Sequence, residues 1–127
     1  MQGFKSLKVY QMAFKAAMEI FEITKSFPVE EKYSLIDQIR RSSRSVCTCI
    51  GEAYRKRKYP KYFSLKITDA DGEATETIIW LDISFASKYI DDDTHVRLVN
   101  TYDEIGKMLN SIAENPDKFL PKGYEKK

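Results

Sequence analysis

Apolar residues recur every three or four positions along most of the chain, which is the spacing of one face of an α-helix. In the first segment two such stripes lie side by side. One consists of Phe4, Leu7, Tyr10, Phe14, Ala17 and Phe21, and the other of Val9, Ala13, Ala16, Ile20 and Ile23. Together they predict a helix with an apolar face broader than one neighbouring helix would need. This helix is expected to end at Ser26-Phe27-Pro28, because the residue before a proline is pushed out of the α region.

Two long helices are predicted to follow. The second should run from about Ser34 to about Lys58, and Pro60 suits the first turn of the third. The third helix has a heptad-like apolar seam made of Phe63, Ile67, Ala70, Ala74, Ile78, Leu81 and Phe85. The middle of this seam has small side chains, so it permits close approach of a neighbouring helix.

A fourth helix is predicted after the acidic turn Asp91–Thr94, which provides an N-cap, and it should stop at Asn115-Pro116. The sequence shows no alternation typical of a β-strand. We therefore expect an all-α protein, an antiparallel up-down-up-down four-helix bundle. The bundle should comprise residues 1–115, and residues 116–127 should form a short polar C-terminal tail.

The net charge of +2 hides an uneven distribution. Residues 40–66 have nine Lys or Arg and one Glu, whereas residues 67–93 have one Lys and eight Asp or Glu. Such blocks favour contacts within one bundle, between subunits, or with separate charged partners. No apolar run approaches the roughly 20 residues of a membrane span. Two cysteines without a signal peptide indicate a reducing environment, so we expect a cytoplasmic protein.

The residue types that catalysis or metal binding would need are sparse. Cys47 and Cys49 would point to opposite sides of a helix, so they are not expected to form a disulfide, and their spacing is not that of a zinc motif. Both are expected to act as small apolar side chains. His95 is the one histidine, and we interpret it as a helix-start residue beside an acidic turn. We expect a protein that is not an enzyme and has no metal or cofactor.

The basic run is the strongest functional signal. Its candidate nucleic-acid-binding residues are Arg40, Arg41, Arg44, Arg55, Lys56, Arg57, Lys58 and Lys61, interleaved with Tyr54, Tyr59 and Tyr62. Cations contact phosphates and aromatic rings stack on bases, so this pattern favours RNA or another nucleic acid. Two alternatives stay open. The cations could solvate a helix end or pair with the acidic third helix, and Arg40 and Arg41 could pair internally with Glu52 or Glu76. They could also bind an acidic protein partner.

Several short motifs match one known pattern. An F-P-x-x-E-x-x-x-L corner matches at Phe27, Pro28, Glu31 and Leu35. The motif Q-x-R-R matches at Gln38, Arg40 and Arg41, and it is followed by Ser45, Val46, Ile50 and Glu52. The motif A-x-G-S-x-x-E-L matches in part, at Ala70, Gly72 and Glu76. Over residues 4–113 the chain resembles bacterial four-helix-bundle proteins called 23S ribosomal RNA intervening-sequence proteins. Accessory proteins of diversity-generating retroelements belong to the same group. The chain departs from the pattern at Cys49, Glu73 and Thr77, where the family has Asn, Ser and Leu.

The resemblance implies a small four-helix bundle that assembles into a homopentamer with a positively charged surface. In the retroelement branch it implies RNA and a reverse transcriptase as partners. We therefore expect a non-enzymatic oligomer that binds structured RNA or another nucleic acid. The alternative is an adaptor that docks an acidic protein, such as a reverse transcriptase, without contacting nucleic acid.

Overall fold

A computed structural model of the protein describes residues 3–124. It contains four long helices, which are α1 (Lys8–Thr24), α2 (Asp37–Arg55), α3 (Pro60–Ala86) and α4 (Asp92–Glu114). No strand occurs between residues 3 and 124, so the all-α four-helix prediction is confirmed. The first two residues of the predicted bundle and the last three of the predicted tail lie outside the described residues.

Each helix packs against the next one in the chain, and α4 closes the bundle against α1. The contacts run in the antiparallel sense: Arg40 at the start of α2 meets Phe21 near the end of α1, and Ser64 near the start of α3 donates to the carbonyl of Ala113 in the last turn of α4. Buried side chains from all four helices form one core, which includes Ile20, Ile39, Ile50, Ile67, Leu81, Leu98 and Leu109.

The two apolar stripes of α1 have different environments. Val9, Ala13 and Ile20, from one stripe, are buried in the core. The other stripe lies at the edge of the bundle, where Phe14 is 51% exposed. The broad face of α1 is therefore only half covered within one chain, which leaves apolar surface available to another molecule.

Both predicted ends of α2 are displaced by three residues. The helix begins at Asp37 and ends at Arg55, whereas the sequence predicts about Ser34 and about Lys58. A single π-helical turn over Lys32–Ile36 precedes Asp37, the first residue of the α-helix. Ser34, the predicted N-cap, instead donates to a carboxylate oxygen of Glu31 over 2.6 Å. The predicted start of α4 agrees with the structure, because the Asp91 carboxylate accepts a hydrogen bond of 2.8 Å from the amide of Thr94.

Polar contacts join α2 to α3. The Arg41 guanidinium donates to both Glu73 and Glu76. Deeper in the same interface, the hydroxyl of Thr77 donates to that of Ser42 over 2.8 Å, and both side chains are buried. These contacts require a fixed alignment of the two helices, since a slip of one residue would separate the partners.

The Glu76 carboxylate also accepts a hydrogen bond from the indole N–H of Trp80 over 3.1 Å. The pKa of Glu76 is held below its ordinary value, mainly by this bond and to a smaller extent by the Arg41 guanidinium. Because the pKa of Glu76 is lower in the folded than in the unfolded state, its ionised carboxylate stabilises the fold at pH values above the ordinary carboxyl pKa. This stabilisation is lost as the pH falls through the lowered pKa.

We therefore expect the emission of Trp80, the one tryptophan in the sequence, to change as the pH is lowered below the ordinary glutamate pKa of about 4.3. Protonation of Glu76 removes the charged acceptor of the indole N–H. The measurement is a fluorescence titration, with far-UV circular dichroism to confirm that the helices persist. In the Glu76→Gln variant the acceptor does not titrate, so the same acid step in that variant would refute the assignment.

Candidate nucleic-acid interface

The basic run, continuous in the sequence, is divided by α2 into two clusters. We call Arg40, Arg41 and Arg44, near the start of α2, the arginine cluster. We call Arg55, Lys56, Arg57, Lys58 and Lys61, where α2 meets α3, the basic corner. At 1.5 Å per residue, Arg44 and Arg55 are about 16 Å apart along the helix axis. The two clusters lie toward opposite ends of the bundle, so they do not form one binding patch.

The arginine cluster makes contacts within the chain. Arg40 donates from Nε to the buried hydroxyl of Thr24 over 2.8 Å, and its guanidinium lies 4.7 Å from the centre of the Phe21 ring. Arg41 binds the two glutamates of α3 described above. Arg44 is exposed, with its guanidinium 5.6 Å from the same Phe21 ring. Arg40 and Arg41 therefore donate hydrogen bonds within the chain, whereas Arg44 is exposed and contacts the Phe21 ring.

The cations of the basic corner are more accessible. Arg55, Lys56, Lys58 and Lys61 are exposed, and none of the ion pairs formed among residues 3–124 involves them. Arg57 differs, because it donates to the backbone carbonyl of Tyr54 over 3.1 Å. The basic corner thus presents four exposed positive charges at one end of the bundle.

The three tyrosines of the basic run also differ from one another. The ring of Tyr54 is half-buried, and the Arg57 guanidinium lies 4.1 Å from its centre. Tyr59 is 53% exposed and Tyr62 is 47% exposed. The Lys58 ammonium lies 5.2 Å from the centre of the Tyr59 ring. Tyr59 and Tyr62 therefore present more ring surface to solvent than Tyr54 does.

The residues after α4 complete this surface. Pro116–Phe119 form a short 3-10 helix, and the Phe119 ring stacks on Phe63 of α3 with 5.4 Å between the ring centres. The chain then continues to Tyr124, which is 50% exposed. Between this C-terminal segment and the basic corner lies an open groove of about 1190 Å³, lined among others by Lys56, Lys58, Tyr59, Lys61, Tyr62 and Tyr124.

Tyr124 lies outside the predicted site, because the sequence pattern predicts a polar tail over residues 116–127. A signal was present in that segment. Phe119, Leu120 and Tyr124 are three large apolar or aromatic residues within six positions. Such a density is unusual in a freely solvated tail and is typical of a segment that packs against the domain.

The structure also places the other sequence candidates. Cys49 is buried and Cys47 half-buried, and both thiols are free. Burial raises the pKa of Cys47 to about 11, so this thiol is protonated at neutral pH and is a poor nucleophile. His95 stacks on Phe85, and its Nε2 lies 2.7 Å from a carboxylate oxygen of Asp82.

Two kinds of feature are absent from residues 3–124. No group of three or more His, Cys, Asp or Glu side chains in this range is arranged to hold a metal ion. No helix in the range combines the length and the apolar character that crossing a membrane requires.

Comparison with known proteins identifies the family. Residues 5–111 match the family model described as 23S rRNA-intervening sequence protein. The chain belongs to this family. It is also similar to a solved structure of a protein with unknown function from the S23 ribosomal protein family of Bacteroides thetaiotaomicron VPI-5482. That protein is 28% identical, the TM-score is 0.74, and the match covers 84% of this chain and 95% of that chain. None of the curated proteins matches.

This member of the 23S rRNA-intervening sequence protein family uses two of its departures from the motif pattern to join α2 to α3. Glu73, in place of the serine, accepts hydrogen bonds from Arg41. Thr77, in place of the leucine, bonds Ser42. The third departure, Cys49, is buried in the core. Polar contacts at two of these positions therefore join α2 to α3.

Proposed function

We propose that this protein binds structured RNA or another nucleic acid through the basic corner, as a non-enzymatic oligomer of the bacterial cytoplasm. The supporting observation is the group of four exposed cations, Arg55, Lys56, Lys58 and Lys61, beside two half-exposed tyrosines. Cations that neutralise phosphates release counterions from a nucleic acid, which favours binding. Exposed aromatic rings next to them provide stacking surfaces for bases.

The arginine cluster has a smaller part in this proposal. Arg40 and Arg41 are bonded within the chain, so recruiting them to phosphates would break existing contacts. Arg44 is left as a separate point of attraction about 16 Å away along α2. We therefore assign the main phosphate contacts to the basic corner and a peripheral one to Arg44.

We also propose that the protein assembles as a homopentamer, the state implied by its family resemblance. Apolar side chains that one chain leaves exposed support self-association: Phe14 is 51% exposed and Met18 49% on α1, and Leu65 is 64% exposed and Ile79 51% on α3. Exposed apolar surface of this kind is typical of interaction sites. Light scattering tests the number of chains directly, and a monomeric mass at micromolar concentration would refute the assembly.

A salt titration of RNA binding tests the proposed function. The variant replaces the four exposed cations of the basic corner with alanine, and Arg57 is left intact because it bonds Tyr54. The control removes the same charge away from the basic corner, at the exposed Lys15, Lys25, Lys32 and Lys88, with Lys88 changed to Asn because its φ of 65° disfavours alanine. We expect the slope of log affinity against log salt to become shallower by about three to four in the variant and to change by less than one in the control.

Two outcomes would overturn the proposal. One is the absence of RNA or DNA binding by the unaltered protein at low salt, which would favour the adaptor that docks an acidic protein such as a reverse transcriptase. The other is equal loss of binding in the variant and the charge-matched control. That result would show a dependence on net charge without a site at the basic corner.

A further inference from the structure

We infer that the groove between the basic corner and residues 116–124 holds unpaired nucleotides of a single-stranded segment. We call it the tyrosine groove. This inference rests on the proposed function and makes it more specific, because it names the form of nucleic acid that the site selects. It concerns the shared chemistry of an unpaired base on a phosphate backbone, which RNA and DNA both offer.

The tyrosines indicate unpaired bases. Three rings border the groove, and each is about half exposed: Tyr59 is 53% exposed, Tyr62 47% and Tyr124 50%. They come from two parts of the chain about 60 residues apart in sequence, and folding brings them to one groove. Within a duplex the base faces are stacked on one another and are not available to side chains, whereas unpaired bases stack on aromatic rings.

The charges indicate how the strand would lie. Lys56, Lys58 and Lys61 line the side of the groove formed by the basic corner, and Tyr124 lies on the side formed by the C-terminal segment. Phosphates are attracted to the lysines. The backbone of the strand is therefore expected to follow the basic corner, with its bases directed across the groove toward Tyr124.

The size of the groove agrees with such a ligand. Its volume of about 1190 Å³ exceeds the roughly 300–1,000 Å³ of sites that enclose one drug-sized molecule. The groove is also open to solvent along its length, so a strand could enter and leave without threading an end. It is therefore large enough for more than one nucleotide of a longer chain.

The opposite end of the bundle provides an internal comparison. There the arginine cluster borders a smaller hollow of about 540 Å³, with one exposed tyrosine, Tyr33, which is 83% exposed. Arg40 and Arg41 on its border have partners within the chain. The exposed cations of this hollow that form no ion pair among residues 3–124 are Lys32 and Arg44, beside one ring. The tyrosine groove has three exposed lysines and three rings, so we assign single-strand binding to it.

An abasic oligonucleotide separates stacking from charge, because it keeps the phosphates and lacks the bases. Binding of a short single-stranded RNA and of its abasic counterpart is measured by fluorescence anisotropy at one salt concentration. The unaltered protein should bind the natural strand about tenfold more tightly or better. A triple variant, Tyr59→Leu with Tyr62→Leu and Tyr124→Leu, should bind both strands with the affinity that the unaltered protein has for the abasic one.

Two control variants define the source of the difference. The corresponding triple Tyr→Phe variant keeps the rings and should keep the tenfold preference, and so should Tyr33→Leu at the opposite end. All positions changed are exposed, and circular dichroism checks that each variant is folded. The same two strands, natural and abasic, are also made as DNA to show which nucleic acid is the ligand. Loss of the preference in the triple Leu variant, with either the RNA pair or the DNA pair, supports the groove.

The outcomes distinguish this inference from the proposed function. Salt-sensitive binding with equal affinity for natural and abasic strands would overturn the groove and leave nucleic-acid binding at the basic corner intact. Loss of the preference in Tyr33→Leu, with the triple Leu variant unaffected, would place the stacking site at the other end and also overturn the groove. If no strand binds at low salt, both proposals are wrong.

Discussion

Replacing Phe63 with alanine is expected to lower the free energy of unfolding by about 3–5 kcal/mol. Phe63 is 1% exposed and belongs to the core at the start of α3. Its ring also stacks on Phe119, which attaches the C-terminal segment to the bundle. The substitution would leave a cavity in the core and would remove the main aromatic contact of that segment.

Urea unfolding followed by circular dichroism measures this change, with the protein concentration held constant because self-association would add to the apparent stability. The control is Tyr62→Ala, the neighbouring residue, whose side chain is 47% exposed. Its effect should stay within about 0.5 kcal/mol. A loss below about 1 kcal/mol for Phe63→Ala would contradict the placement of this ring in the core.

Replacing Tyr102 with phenylalanine is expected to raise the free energy of unfolding by about 1–3 kcal/mol. Tyr102 is fully buried in α4, and its hydroxyl has no hydrogen-bond partner among residues 3–124. A buried hydroxyl without a partner loses its bonds to water on folding, which destabilises the folded state. Burial also raises the pKa of Tyr102, so the hydroxyl stays protonated and must be buried as a donor.

The matched control for this substitution is Tyr89→Phe. The Tyr89 hydroxyl donates to a carboxylate oxygen of Glu31 over 2.9 Å, so removing it should lower the stability. The two Tyr→Phe changes are therefore predicted to have opposite signs in the same unfolding experiment. Destabilisation by Tyr102→Phe would show that its hydroxyl is satisfied in solution.

The helices could be predicted from the sequence because each has a strong periodic pattern and clear end signals. Pro60 begins α3 and the Asp91 cap begins α4, as expected. The start of α2 was less predictable, since Ser34 bonds Glu31 in a π-helical turn. Nor could the pattern tell which stripe of α1 is buried. Both are apolar, and the choice depends on how α1 packs against α2 and α4.

The candidate site was predictable to a smaller extent. The sequence predicts Glu52 or Glu76 as a partner of Arg41, and the structure confirms Glu76. The choice between the two, and the additional bond to Glu73, depend on the alignment of α2 with α3. The rise along α2 separates charges that are close in the sequence. Tyr124 joins the groove because Phe119 packs on Phe63, a contact between residues more than fifty positions apart. Local pattern gives no information about such a contact.

Both ends of the described chain lie at the same end of the bundle as the basic corner. Phe4 packs near the last turns of α2, where a Cβ added to Gly51 would lie 3.5 Å from its ring, and Phe119 packs on Phe63. A purification tag or surface anchor at either terminus would therefore crowd the tyrosine groove. The turn at Lys88, where α3 meets α4, is exposed and lies at the opposite end. A peptide handle inserted there would immobilise the protein with the groove facing the solution.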